Sequence, residues 1–385
     1  MDSADIIMLL DNPLASDQRV EKEAQSLASS GFEVLILATN ENSDLPTNEK
    51  RNGYIIERSL DVELKHPLRK GYKKRLEKAV NLLLSKHCRI LHCHDYFLLQ
   101  LAAQVKEKRP ELYLTYDAHE YLKGWPYYKE IEHPLNRFKG RLVWQQLKQL
   151  EARNIHQCNL LITPSEALRK AMIIDHRFQG DSLAIRNIPS KMAAGKRRDV
   201  RSEAGIDSDK SILVHSGSVY MSDAFLDTFV ALLEEQKNFA LLFIGNRPRH
   251  FELQKEFAQH PQVHFMDYDV DYLIQDLAQC DAGIAYTRAH SYIAHRLGSS
   301  NRVMEYSMAG IPIIATEQIT HRELQEAFGH VLLFNESDEA TLNSALKEFR
   351  KERETLKANA LASKDKLSWE QEISPLEAHY KALLH

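Results

Sequence analysis

Two short stretches carry most of the residues able to do chemistry. In Tyr116-Asp117-Ala118-His119-Glu120 a carboxylate and an imidazole sit two residues apart at the end of an apolar run, and His92-Cys93-His94-Asp95 repeats the pattern one run earlier. A histidine at a strand end can hydrogen-bond a hydroxyl or move a proton, and a neighbouring carboxylate sets its charge. The second stretch runs from Ser299 to Ala315. A loop enters a short helix beginning at Asn301 and Arg302, Gly310 closes the helix, and Pro312 opens an apolar strand. Unpaired N–H groups and partial positive charge make a helix N-terminus a seat for a diphosphate. Glu305, one turn in, can accept hydrogen bonds from a ribose diol. The plain alternatives are a solvated glutamate and structural histidines. His92-Cys93-His94 also admits a zinc reading, but it has no second ligand pair nearby, and no metal is expected.

Something must hold these residues at strand ends, and the pattern of apolar runs supplies it. Ile6–Leu10, Phe32–Ala38, Arg89–His92, Leu112–Tyr116 and Leu160–Thr163 read as strands, with helices expected over Gln18–Ser30 and Phe97–Lys108 and a cap at Ser165. Ile185–Pro189 reads as strand-like and ending in proline. The polar, basic stretch Lys191–Arg201 then marks a boundary, giving domains 1–192 and 193–368, with a C-terminal helix 369–385 packing back on the first. The alternation restarts with strands expected over Ile212–His215, Ala240–Ile244, Val263–Met266, Ala282–Tyr286 and Ile311–Ala315. Helices are expected over Ala224–Leu233, Val270–Gln279, Arg302–Met308 and Glu339–Ala358. Asp269-Val270-Asp271 reads as a helix cap rather than a metal-binding pair. The fold class is α/β, with two Rossmann-like halves whose ligands sit beyond the carboxyl ends of the strands.

Composition narrows the class further. The 385 residues exceed what one core usually serves, 43% are hydrophobic and 27% charged, and the net charge of −4 gives no pull toward nucleic acid. The acidic start leads into only a short apolar run, so no secretory signal is expected, and a cytoplasmic location follows. The cysteines Cys88, Cys93, Cys158 and Cys280 are scattered and read as reduced thiols. Cations are dense from Lys65 to Arg75, ahead of an amphipathic helix carrying Leu76, Ala79, Val80, Leu83 and Leu84. That segment is either a solvated face or a peripheral contact with anionic lipid. Tyr121–Leu150, with Trp125, Tyr127, Tyr128, Phe138 and Trp144, reads as an acceptor-side wall or as packing.

The Ser299–Ala315 string resembles the donor-site signature of family 4 (group 1) glycosyltransferases. Asp17-x-Arg19, His92-x-His94-Asp95, Asp117-Ala118-His119-Glu120, Thr163-Pro164-Ser165, Asn187-Ile188-Pro189, His215-Ser216-Gly217-Ser218 and Phe243-Ile244-Gly245-Asn246 resemble further segments of that family. The resemblance implies the GT-B fold, two Rossmann-like domains with parallel sheets facing a central cleft. It implies sugar transfer from a nucleoside-diphosphate sugar to a glycan or lipid-linked acceptor, with retention and no cofactor. Donor-binding roles then fall to Glu305, Arg302, Asn301, Gly217, Ser218, Gly245, Arg247, Met266, Tyr268 and Arg288. The catalytic roles fall to His119 and Asp117, and the acceptor side to Asp17, Arg19, His94, Asp95 and Glu120. Three departures stand out. Leu297 occupies the place of a second glutamate, Asn12–Asp17 replaces a glycine pair, and Ser218–Asp223 lacks the usual arginine and lysine. Arg302 and Arg247, then Arg288, are the cations expected to compensate, ahead of Arg249 and Arg296. The rival readings are a non-catalytic relative supporting a partner enzyme, and a sugar-nucleotide epimerase.

Overall fold

The computed structural model describes residues 3–15, 17–41, 44–189, 198–288 and 292–384. They divide into two compact units, Met1–Arg186 with Tyr292–Gly298 and Ile373–His385, and Asn187–Ser291 with Ser299–Glu372. The expected boundary at 192/193 lies outside the described residues, as do most of the stretch Lys191–Arg201 and Ser16 of the loop before Asp17.

The first unit is built on β1 (Ile6–Leu10), β2 (Val34–Thr39), β3 (Asn48–Arg51), β4 (Tyr54–Leu60), β5 (Ile90–His94), β6 (Tyr113–Asp117), β7 (Leu160–Thr163) and β8 (Asp181–Ala184). Their order is β3-β4-β2-β1-β5-β6-β7-β8. All pairs are parallel except β3 with β4, which Asn52 and Gly53 join in a tight turn with both φ values positive. The central strands β1, β2, β5 and β7 are buried at every position, the pattern of a parallel sheet covered on both faces. Ile6 pairs with both Val34 and Ile90, which aligns the ends of β1, β2 and β5. Asp17 caps helix Gln18–Ser29 by accepting from the Val20 amide, and Ser165 caps Glu166–His176 by accepting from Leu168.

The second unit carries β9 (Ser211–Ser216), β10 (Phe239–Gly245), β11 (Val263–Asp267), β12 (Ala282–Ala285), β13 (Ile313–Thr316) and β14 (Val331–Phe334), in the order β11-β10-β9-β12-β13-β14 and parallel throughout. Helix Asn301–Ala309 ends at Gly310, whose φ of 69° is the left-handed conformation glycine accepts most cheaply.

Four local expectations need correction. Ile185–Pro189 is not a strand. Pairing with β7 ends at Ala184, and Ile185 makes one last bond to Thr163. Glu339–Ala358 is two helices, Glu339–Lys351 and Arg353–Lys366, broken at Glu352. Helix Val270–Gln279 shrinks to Leu273–Leu277, because the Asp269 side chain binds the Asp271 amide and holds a turn there instead of capping a helix. Wherever β14 and the β3–β4 hairpin run, no strand was expected from the sequence.

Gly283 of β12 shows how tightly the second core is packed. A Cβ built there would stand 2.2 Å from Cδ2 of the Tyr306 ring, which is itself fully buried. Replacing Gly283 with alanine is expected to destabilise the protein by about 1–3 kcal/mol through overpacking. A lower denaturant midpoint measures this; an unchanged midpoint would show that the ring can move aside.

Candidate functional site

In the first unit the site grows from the carboxyl ends of β5 and β6. β6 ends on Asp117, and the chain then brings His119 back over it. β5 ends on His94. Asp95 adopts a left-handed φ of 59°, and its amide donates to the Asp117 carbonyl at 2.9 Å. Arg19, in the first turn of helix Gln18–Ser29, donates through Nε and Nη2 to the two Asp117 oxygens at 3.1 and 2.9 Å, and through Nη1 to the Ile185 carbonyl at 2.9 Å. Both partners are buried. His94 Nδ1 and His119 Nε2 lie 3.2 and 3.0 Å from Asp117 Oδ2, and 3.2 Å from each other. His119 Nδ1 is 3.4 Å from Asp95 Oδ2.

The charge states follow. Burial alone would push the Asp117 carboxyl up, but Arg19 and then His119 hold it well below the ordinary range. Burial also disfavours a charged His119, yet Asp95 and Asp117 outweigh it and raise the imidazole to about 9. Asp95 is pushed up to about 7 by burial, against His119. His94 is lowered, chiefly by burial, and is neutral. At neutral pH the site therefore presents an imidazolium with one face toward a permanent carboxylate.

Behind this cluster lies a second polar layer. His92 stacks on His94 with ring centres 4.5 Å apart, and its Nε2 stands 3.2 Å from Glu23 Oε1. Tyr380, from the C-terminal helix, places its hydroxyl 3.0 Å from His92 Nδ1 and donates to Thr115 at 2.8 Å. Burial, reinforced by Asp117, pushes Glu23 up to about 8, so it carries its proton at neutral pH. Glu23, His92, His94 and Asp117 each bring a ligand-type atom within 4.8 Å of the others. The Arg19 guanidinium, however, already occupies Asp117 with a fixed positive charge, which opposes a second cation there. Cys93 takes no part, since alternation along β5 turns it into the apolar core of the unit.

The second unit gathers its polar groups at the carboxyl ends of β9 and β10. Ser216 ends β9, and Gly217 follows with φ 79°. Tyr306 accepts from the Ser216 amide at 3.0 Å, and its hydroxyl stands 3.0 Å from the Val214 carbonyl. Beside it the Ser216 hydroxyl reaches Glu305 Oε2 at 3.3 Å. Arg302 donates through Nε and Nη2 to the Ser216 and Ser218 carbonyls, both at 2.6 Å. Asn301 accepts from Asn187 at 3.1 Å. Arg247 is exposed at the start of helix Pro248–Glu256, and Tyr268 donates its amide to Gly245 at 3.3 Å.

Residues 18–185 match the model of Glycosyltransferase Family 4, and residues 210–351 that of Glycosyl transferases group 1. The chain belongs to the family 4-like, group 1 glycosyltransferases. Comparison of the sequence with curated proteins finds no match. Among solved structures it is similar to a sucrose-phosphate synthase from Thermosynechococcus elongatus, at TM-score 0.71 and 18% identity over 98% of this chain and 99% of that one. A UDP-forming trehalose-phosphate synthase from Burkholderia xenovorans gives 0.68 and 13% over 99% and 100%. An E. coli trehalose-6-phosphate structure bound with UDP-2-fluoro glucose gives 0.67 and 14% over 98% and 99%. At such identities these likenesses speak for the fold, which is GT-B.

Within this glycosyltransferase, Arg19, His94, Asp95, Asp117 and His119 form one network, and Asp17 starts the helix that carries Arg19. Glu120 is exposed beside them. Ser216, Gly217, Ser218, Arg302 and Glu305 form the other network. Met266 packs in the hydrophobic core, and a Cβ at Gly245 would stand 2.7 Å from His250, so that glycine makes room for a side chain. Arg288 donates to the Tyr220 carbonyl at 3.2 Å, and Arg249 pairs with Asp223. Leu297 is buried in the core of the first unit. Sequence reasoning missed Glu23, Tyr306 and Tyr380. Glu23 had a usable signal, since it lies four residues after Arg19 and shares its helix face.

The His119 contribution to stability is fully present below its unfolded value near 6.5 and lost as pH rises through about 9. An NMR titration is expected to find the His119 imidazole near 9. In Asp95→Asn it should move down by about one unit or more, toward the ordinary value. A wild-type value near 6.5 would remove the imidazolium from the site.

Proposed function

We propose that this glycosyltransferase moves a sugar from a nucleoside-diphosphate sugar to a glycan or lipid-linked acceptor, with retention of anomeric configuration, in bacterial surface polysaccharide or glycoconjugate synthesis. The observation that carries the reading is Glu305, set one turn into helix Asn301–Ala309 beside Ser216 and Gly217 at the end of β9. A carboxylate there accepts from a ribose diol while the helix N-terminus and Asn301 face the diphosphate. In the reaction the bond from the anomeric carbon to the diphosphate breaks, a bond to the acceptor oxygen forms, and the acceptor proton leaves with the diphosphate. Arg302 and Arg247, with main-chain N–H groups, meet the developing negative charge, so the reading needs no metal or other cofactor. His119 and Asp117 orient the transferred sugar, with Asp17, Arg19, His94, Asp95 and Glu120 on the acceptor side. The protein works in the cytoplasm, peripheral to the inner face of the membrane. Among the described residues no helix is long and apolar enough to cross one.

A second reading, a non-catalytic subunit that binds a nucleotide or glycan, draws on Ser218–Asp223, which holds no cation, and on an Arg302 that spends two donor groups on carbonyls. Two of the similar structures name UDP or a UDP sugar, so UDP and UDP-glucose come first in a thermal-shift panel that also includes GDP, ADP and CMP. A nucleotide at 100 times its dissociation constant is expected to add about 2.7 kcal/mol, and Glu305→Ala to lose that response. Stabilisation followed by donor hydrolysis supports transfer. Stabilisation with no turnover supports the second reading, and no response to any nucleotide defeats transfer and leaves the second reading only its glycan-binding form.

A further inference from the structure

We infer that the N-terminal half of helix Pro134–Asn154, together with the basic entry to helix Tyr72–Leu84, is a docking face for an anionic lipid surface. The inference rests on the reading of a peripheral membrane protein and deepens it by naming the surface; it does not depend on the transfer chemistry. Leu135, Phe138 and Leu142 are 55%, 57% and 42% exposed. At 3.6 residues per turn they fall within an arc of roughly 60°. Gly140 sits on the opposite side of the helix and backs onto Tyr128 and Ile131. The stripe is therefore turned away from what the helix packs against at this level, and the helix is held by its later turns. Leu147 and Leu150 are buried, Trp144 donates to the Leu122 carbonyl at 3.0 Å, and Glu151 accepts from Tyr116 at 2.8 Å.

Charge says what covers the stripe. Lys139 borders it on one side and Arg141 on the other, and neither has an ion-pair partner among the described residues. One turn beyond Leu142, Gln146 lines a groove of about 370 Å³ with Tyr72, Lys73, Leu76 and Lys108. The stripe thus leads to the start of helix Tyr72–Leu84, where Leu68 is 54% exposed and Lys70, Lys73 and Lys74 are exposed and likewise unpaired among the described residues. Arg69, by contrast, is paired with Glu63. The acids nearest the stripe in sequence are Glu130 and Glu132, before the helix begins, while Glu77 lines the groove beside Lys73. Apolar side chains flanked by more cations than acids, on a chain of net charge −4, match the acyl boundary and headgroups of an anionic bilayer. A protein partner that matched only the apolar stripe would leave these cations unanswered.

Flotation of the full chain with vesicles of phosphatidylcholine and phosphatidylglycerol, against phosphatidylcholine alone, tests this. Binding is expected on the mixed vesicles and much less on the neutral ones. The triple variant Leu135→Ser, Phe138→Ser, Leu142→Ser should bind roughly ten-fold or more weakly, and Lys139→Glu with Arg141→Glu should cost at least about five-fold per cation. All five positions are exposed, so the unfolding midpoints should stay at the wild-type value. No vesicle binding by wild type, or undiminished binding by the triple variant, overturns the inference. Self-association of wild type that the triple variant abolishes, without vesicle binding, also overturns it and assigns the stripe to a second copy of the chain. The nucleotide response is read on the same samples. Vesicle binding without it sinks only the transferase reading, and a nucleotide response without vesicle binding sinks only the docking face.

Discussion

Much of the first unit's polar chemistry hangs on the forked contact between Arg19 and Asp117. Two charges taken out of water cost several kcal/mol each, and their attraction repays this only when the geometry is good and the remaining lone pairs and protons are satisfied. Here both conditions hold. The guanidinium meets both carboxylate oxygens and spends its remaining arm on Ile185, while His94 and His119 take the other side of Asp117. One interaction thereby fixes the start of helix Gln18–Ser29, the end of β6 and the chain leaving β8. It also fixes a charge. With Asp95 and the ionised Asp117 beside it, His119 keeps its proton, and burial leaves His94 neutral. Removing either member of the pair would strand a buried charge at a cost of about 3–5 kcal/mol.

The second unit reaches the same end by other means. Its organiser is neutral: the Tyr306 hydroxyl, buried beneath the end of β9, accepts from the Ser216 amide and stands within hydrogen-bond distance of the Val214 and Ile284 carbonyls. The ring fits only because Gly283 has no side chain. Tyr306 follows Glu305 directly, so anchoring the ring sets the rotation of the helix and aims the carboxylate at Ser216. His215 braces the same strand end. Its ring nitrogens lie 3.1 and 3.3 Å from the Ile284 and Ser218 carbonyls, and burial, aided by Arg302, keeps it neutral.

The fold was legible because parallel strands buried on both faces read as apolar runs, and because Gly310 and Ser165 mark helix ends in ways with a local physical cause. Where tertiary contacts decide, the sequence was silent. Nothing local shows that Tyr292–Gly298 belongs with the first unit, where Ser165 binds the Leu297 carbonyl. The Asn52-Gly53 signal was local and simply passed over. For the site, the strand-end residues could be named because chemistry-bearing types at strand ends are few. Their partners could not, since Arg19 meets Asp117 across 98 residues and Tyr380 meets His92 across 288. Phe138 illustrates the converse. Its type suggested an acceptor-side wall or packing, while its place on the outward face of helix Pro134–Asn154 leaves it exposed.

Two of the departures from the family pattern have a visible structural counterpart. Where a glycine pair is usual, Leu14 takes a φ of 53°, a conformation that costs an L-residue energy, and the turn is held by Asn12, which accepts from the Leu14 amide and donates to Asp17. Beside Ser218–Asp223, which lacks the usual cations, stands an arginine from elsewhere in the chain. Arg302 comes from a different element, yet its guanidinium grips the carbonyls on both sides of Gly217, and its Nη2 lies 3.8 Å from where a Gly217 Cβ would be. The guanidinium of helix Asn301–Ala309 is thus fixed beside a loop that has no cation of its own, with two of its donor groups held on the main chain.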